Sequence, residues 1–106
     1  MSASFRRFEI LLPLQFNDGN PIPEELFVDV ILELEKQFGA VSSETQIIRG
    51  IWRQEGKSFR DELIRVFVDV ADTPENRQFI IAFKERLKTI FGQLDIWVTT
   101  HPIDIL

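Results

Sequence analysis

The chain has no cysteine, no tyrosine and a single histidine. Without cysteine, a disulfide framework, a thiolate nucleophile and a zinc ribbon are all excluded, and a reducing cytoplasm is the expected setting. Without tyrosine, no phenol is present to act as a general acid. The aromatic content is ten Phe and two Trp instead, and Phe brings bulk that needs no hydrogen-bond partner. Long apolar runs are also lacking: no window approaches the roughly 18 residues of a membrane span. The N-terminal segment passes from Arg6-Arg7 into a strand pattern with no secretory apolar stretch. A cytoplasmic protein without a membrane partner is therefore expected.

Excess positive charge is missing as well. Seventeen acidic residues face twelve basic ones, a formal net charge of −5. Nucleic-acid and anionic-membrane binders need clustered positive charge to displace counterions, so neither partner is expected. What is present is an ordinary globular composition, 44% hydrophobic and 27% charged over 106 residues, which supports one domain over residues 1–106 with a single core.

Phe8, Ile10, Leu12 and Leu14 alternate with Arg7, Glu9, Leu11 and Pro13, the period of a strand with one apolar face. After the Asn17-Asp18-Gly19-Asn20-Pro21 loop the period becomes helical: Leu26, Phe27, Val30, Ile31, Leu34 and Phe38 form one stripe. Pro23, Glu24 and Glu25 suit the start of that helix, and Gly39 its end. Val28 and Leu32 lie off the stripe, one turn apart, and are a candidate second interface.

Residues 47–70 read as a long hairpin. A two-residue turn at Glu55-Gly56 pairs Trp52 with Phe59 and Arg49 with Glu62; a three-residue loop would turn Trp52 over. Asp72-Thr73-Pro74-Glu75 marks a second helix, capped by Asp72 or Thr73, with Glu75 able to complete a capping box with Asp72. Its stripe is Phe79, Ile80, Phe83, Leu87, Ile90 and Phe91, closed by Gly92. Leu94, Ile96 and Val98 alternate with Asp95, Trp97 and Thr99 as a last strand, which His101-Pro102 is expected to break. The order β-α-β-β-α-β predicts an α+β, ferredoxin-like fold, a four-stranded antiparallel sheet with both helices on one face.

In that fold one sheet face is bare. It should present Leu11, Arg65, Phe67 and Trp97, together with Arg7, Glu9, Asp69 and Asp95, and, in the two-residue register, Trp52 and Phe59. Such a patch is too apolar for simple exposure. Three readings compete. Two copies stack as a homodimer, with Arg65/Asp69 and Arg7/Glu9 making satisfied pairs. A dimer of the α/β-barrel kind encloses a space that binds or converts a small, partly apolar molecule, with Arg65, Trp97, Trp52 and His101 at its wall. Bases stack on Phe67 and Trp97, a reading that the acidic balance opposes.

Catalytic signals are absent. His101 is the one side chain that titrates near neutrality unperturbed, yet it precedes a proline at an expected strand end and has no evident polar partner. Asp61 and Glu62 are adjacent, so on a strand they point to opposite faces, and Glu62 is better read as answering Arg49 or Arg60. Carboxylates scattered along helices predict no metal site, and no glycine-rich loop predicts a cofactor.

Gly50-Ile51-Trp52, the acidic Asp61-Glu62 before the Val-rich strand, and Phe91-Gly92-Gln93 before the last strand together resemble a family of small bacterial domains of unknown function. Those domains share a Gly-x-Trp hairpin arm and a Phe-x-Gln run. The resemblance implies a ferredoxin-like fold and a bacterial source; it implies no activity.

Overall fold

The alternation of the first segment is realised as β1 (Phe5–Pro13) in the computed structural model, which describes residues 4–106. Phe8, Ile10 and Leu12 turn inward. α1 (Glu24–Phe38) starts on Pro23, carries Glu24 and Glu25 in its first turn, and ends at Gly39, whose φ of 83° is the left-handed cap. β2 (Ser42–Ser43) and β3 (Ile48–Gln54) both pair with β4 (Lys57–Ala71). They fill one position of the sheet, interrupted at residues 44–47. α2 (Pro74–Ile90) and β5 (Val98–Ile103) complete the chain.

Every pairing is antiparallel, and β4 and β1 are central, with β2 and β3 at one edge and β5 at the other. This is the expected ferredoxin-like arrangement, with five strands in place of four because the second is split. Both helices press on one face: Val30 and Leu34 of α1, and Ile80, Phe83 and Leu87 of α2, share a core with Ile10, Leu12, Val66 and Val68. Among the described residues no polar side chain is buried in that core. Phenylalanines knit its layers, with Phe38 edge-on to Phe79 at 5.2 Å and Phe27 against Phe91 at 5.7 Å.

The turn of the long hairpin is the expected one. Glu55 and Gly56 have φ of 51° and 77°, so both central residues are left-handed, the turn whose twist suits two flanking strands. Trp52 faces Phe59 and Arg49 faces Glu62. β1 pairs β4 only from Leu63 to Ala71, so the outer part of the hairpin leaves the sheet as a two-stranded arm. The molecule is correspondingly elongated, 50 × 30 × 25 Å.

Three local expectations are corrected. Thr73 caps α2 by accepting the Asn76 N–H at 3.2 Å, while Asp72 pairs with Arg6 at 3.1 Å instead of forming a capping box with Glu75. Ile90 is exposed, because the stripe passes to the fully buried Phe91 at the helix end. The last strand begins at Val98, since residues 92–97 run as a connection that drops Ile96 into the core and leaves Leu94 84% exposed.

That later start places His101-Pro102 inside β5. Leu11 donates to the Trp97 carbonyl at 3.0 Å, which fixes the alternate pairs that exchange hydrogen bonds with β1. Pro102, opposite Arg6, falls on the other kind. Its missing N–H therefore faces the free edge, where it blunts strand addition at no cost to the ladder.

Denaturant unfolding tests these placements. Ile96→Ala should lower stability by about 2–5 kcal/mol, Thr73→Ala by about 1 kcal/mol, and Leu94→Ala by no more than about 0.5 kcal/mol. A Leu94 variant as damaging as the Ile96 one would restore the earlier strand start.

Candidate functional site

Because side chains alternate, the odd-numbered residues of β1 and β4 share the face opposite the helices, and the pairings arrange them in rows. Trp97, Leu11, Arg65 and Glu44 form one row: Leu11 takes Trp97 on one side and Arg65 on the other, and the Glu44 N–H donates to the Arg65 carbonyl at 2.9 Å. Thr99, Glu9, Phe67 and Ser42 form the next, and His101, Arg7 and Asp69 the third. In the other direction Leu63 and Ile48 lead onto the front of the arm, where Trp52 and Phe59 stand opposite each other. Gly50 leaves that front without a side chain between Ile48 and Trp52.

The charges in the middle of this face are already paired. Arg7 grips Asp69 with both ends of its guanidinium, Nε to Oδ1 at 2.7 Å and Nη2 to Oδ2 at 3.0 Å, and lies 4.3 Å over the Phe67 ring. The Asp69 hydrogen bond raises the Arg7 pKa above its ordinary value, so the group stays charged. Arg65 Nη1 donates to Glu44 at 3.0 Å, and its Nε lies 3.7 Å from Glu9, too long for a hydrogen bond. The enclosed Nε has no acceptor.

These partners replace the expected Arg65/Asp69 and Arg7/Glu9. Along one strand Arg65 and Asp69, four apart, stand roughly 13 Å apart and Arg7 and Glu9, two apart, roughly 7 Å, whereas directly opposed cross-strand residues are within about 5.5 Å. Neighbouring strands therefore win the competition for each arginine.

The candidate residues fall into two groups. Leu11, Arg65 and Phe67 are half-buried within the sheet, and Trp97, 65% exposed, stands beside Leu11 at the edge. Trp52 and Phe59, both about two-fifths exposed, stack on the arm with centroids 4.5 Å apart and an interplanar angle of 17°. The Trp52 indole N–H donates to Asp61 at 2.6 Å. That role for Asp61 was missed in the sequence, although the two-residue register places it two residues from Phe59 on the same face.

His101 is exposed in mid-strand opposite Arg7, not at a strand end. Glu62 forms no ion pair with Arg49 or Arg60. Asp95 leaves the open face altogether and pairs with Lys84 of α2 at 3.2 Å. Partial burial pushes the Asp95 carboxyl up, but the Lys84 contact and the Ile96 N–H outweigh it and hold the group below its ordinary value. Val28 and Leu32 are 45% and 55% exposed on the outer side of α1, as their spacing implies.

Phe59 and Arg65 stand six positions apart on β4, roughly 20 Å of strand, so Trp52 does not meet Arg65, Trp97 and His101 within one chain. A wall containing all four requires a second copy. The Arg7 guanidinium lies over one face of the Phe67 ring, where it competes with a stacked base. Among the described residues no group of three or more His, Cys, Asp or Glu is placed to hold a metal ion, and no helix is long and apolar enough to cross a membrane.

No family model and no curated protein matches the chain. Several solved structures share its fold. A phage SAM lyase in complex with S-methyl-5'-thioadenosine is 14% identical, with 99% of this chain and 92% of that one covered at a TM-score of 0.67. The divalent cation tolerance protein Cut A1 from Thermus thermophilus is 17% identical over 95% of this chain and 85% of its own, at a TM-score of 0.63. A B. subtilis GlnK–ATP complex is 15% identical over 97% and 84%, at a TM-score of 0.58. At these identities the likeness establishes the fold alone, and it agrees with the fold implied by the Gly-x-Trp resemblance.

Proposed function

We propose that the chain is a cytoplasmic bacterial binding module that works as a homo-oligomer, at least a homodimer, assembled through the open sheet face. The observation that carries this reading is the set of apolar side chains on one face, Trp97, Leu11, Phe67, Leu63, Phe59 and Trp52, interspersed with Arg65 and Asp61, which no described part of the chain covers. A second copy is the occupant that fits best. The face and arm together measure roughly 50 by 15 Å, about the 800 Å² that each partner contributes to a stable interface. The central arginines bring their own carboxylates, so stacking the sheet parts of two such faces buries no unpaired arginine, and on the arm the Asp61 carboxylate is held by the Trp52 indole.

The alternative is an α/β-barrel dimer whose enclosed space binds or converts a small, partly apolar molecule, with Arg65, Trp97 and His101 at its wall. It is favoured by one observation: two structures of the same fold hold compounds built on adenosine, S-methyl-5'-thioadenosine and ATP.

Light scattering at micromolar concentration should give a mass of at least two 12.4 kDa chains. Trp97→Glu and Phe67→Glu should each shift that mass toward the monomer, and a monodisperse wild-type monomer would rule out both readings. Calorimetric titration with S-methyl-5'-thioadenosine and with ATP separates them. Saturable heat that is lost in Trp97→Glu supports the enclosed site, and no heat with either compound leaves assembly alone.

A further inference from the structure

The rear of the arm carries a second surface, distinct from the Trp52–Phe59 front. Opposed residues share a face, so Arg49/Glu62, Ile51/Arg60 and Arg53/Ser58 stand together on the rear. Ile51 is 74% exposed there, with Arg49 and Arg53 beside it on β3 and Arg60 across from it. Six of the chain's cations, Arg6, Arg7, Arg65, Lys84, Arg86 and Lys88, have carboxylate partners. Arg49, Arg53, Arg60 and the tip residue Lys57 have none among the described residues. The rear face itself sets Arg49, Arg53 and Arg60 against the single acid Glu62, a net charge of +2 in a chain of −5, which leaves −7 on the remainder.

The outer side of α1 is the complement of that surface. Val28 and Leu32 are exposed at its centre. At 100° per residue, Glu24 and Glu35 flank them on one side and Glu25 and Asp29 on the other. These four carboxylates also lack ion-pair partners among the described residues, whereas the neighbouring Glu33 is held by Arg86 at 2.6 Å. Beside Leu32 lies a shallow depression bordered by Lys36, Gln37 and Phe79.

We propose that the rear face of the arm docks on the outer side of α1 in a second copy of this chain. Ile51 packs on Val28 and Leu32, and Arg49, Arg53 and Arg60 pair with the carboxylates on either side. The unpaired charges of opposite sign on the two surfaces select this occupant, since the chain itself supplies the acidic, apolar-centred surface that the basic, apolar-centred arm requires. Each exposed ion pair contributes little, so the contact depends on several acting with Ile51 and weakens as salt rises. Arm-on-helix is a head-to-tail contact, closed either by reciprocal exchange between two copies or by a ring.

Sedimentation at low and high salt tests this with two charge-reversed proteins, one carrying Arg49→Glu, Arg53→Glu and Arg60→Glu, the other Glu25→Lys, Asp29→Lys and Glu35→Lys. All six positions are exposed, and circular dichroism checks that each protein folds. Each alone should self-associate more weakly than wild type by about ten-fold or more at low salt. Their equimolar mixture, in which opposite charges face each other again, should recover the association. Wild-type association and salt dependence in either protein alone, or a mixture that stays weak, overturns the proposal. So does an arm-reversed protein that assembles normally but loses a single-stranded oligonucleotide that wild type binds, which would assign the arm to a polyanion. Trp97→Glu keeps both charged surfaces, so loss of assembly there with no effect of charge reversal would leave the open-face interface standing without this contact.

Discussion

The two-residue turn at Glu55-Gly56 is the constraint on which the rest depends. With both φ angles positive, the turn fixes the register of β3 against β4, so that Trp52 stands opposite Phe59 on the face away from the helices. One more residue would have turned β3 over, sending Trp52 to the rear and Arg49, Ile51 and Arg53 to the front. The same register stacks Trp52 on Phe59, brings Asp61 within reach of the indole, and sends Arg49, Ile51, Arg53 and Arg60 to the rear. Both surfaces of the arm, and the length of the open face, follow from a single turn.

The two sides of the sheet are built on different physics. Among the described residues the core on the helix side holds no buried polar residue and is filled with Phe, Leu, Ile and Val, so its stability comes from burial and close packing. The open side mixes apolar residues with arginines tied to carboxylates across neighbouring strands. That arrangement keeps the face from carrying a large field of one sign, and it leaves Leu11, Phe67, Trp97 and the arm aromatics as the surface with most to gain from cover. A short two-stranded ribbon has little to hold it in isolation. An arm that extends past its own sheet is therefore the part of the molecule most in need of a neighbour.

Much of this was legible in the residues. Period-two and period-3.6 patterns located both helices, β1 and β4, because each of these elements buries one face against a single core. The hairpin register was legible because Glu55-Gly56 sits midway between two alternating runs. The last strand starts later than its pattern implies: Leu94, Ile96 and Val98 alternate as a strand would, yet the helix cap at Phe91 and Gly92 consumes part of the span. Pro102 reads as a break in the sequence, yet its position on an edge strand makes it compatible with pairing. The ion pairs on the open face were out of reach, since they depend on which residues of β1 and β4 stand opposite, and sequence order alone favours neighbours along one strand. The sequence groups Trp52, Arg65, Trp97 and His101 as the wall of a space between two sheets, and within one chain the length of the arm separates Trp52 from the other three.

Amide hydrogen exchange followed as a function of protein concentration tests the central claim, that a second copy covers the open face and the arm. Protection in β3 and in residues 57–62 should rise with concentration, while the already protected amides of β1 and of residues 64–70 change little. Arm amides that exchange fast and at the same rate from micromolar to millimolar protein would contradict it.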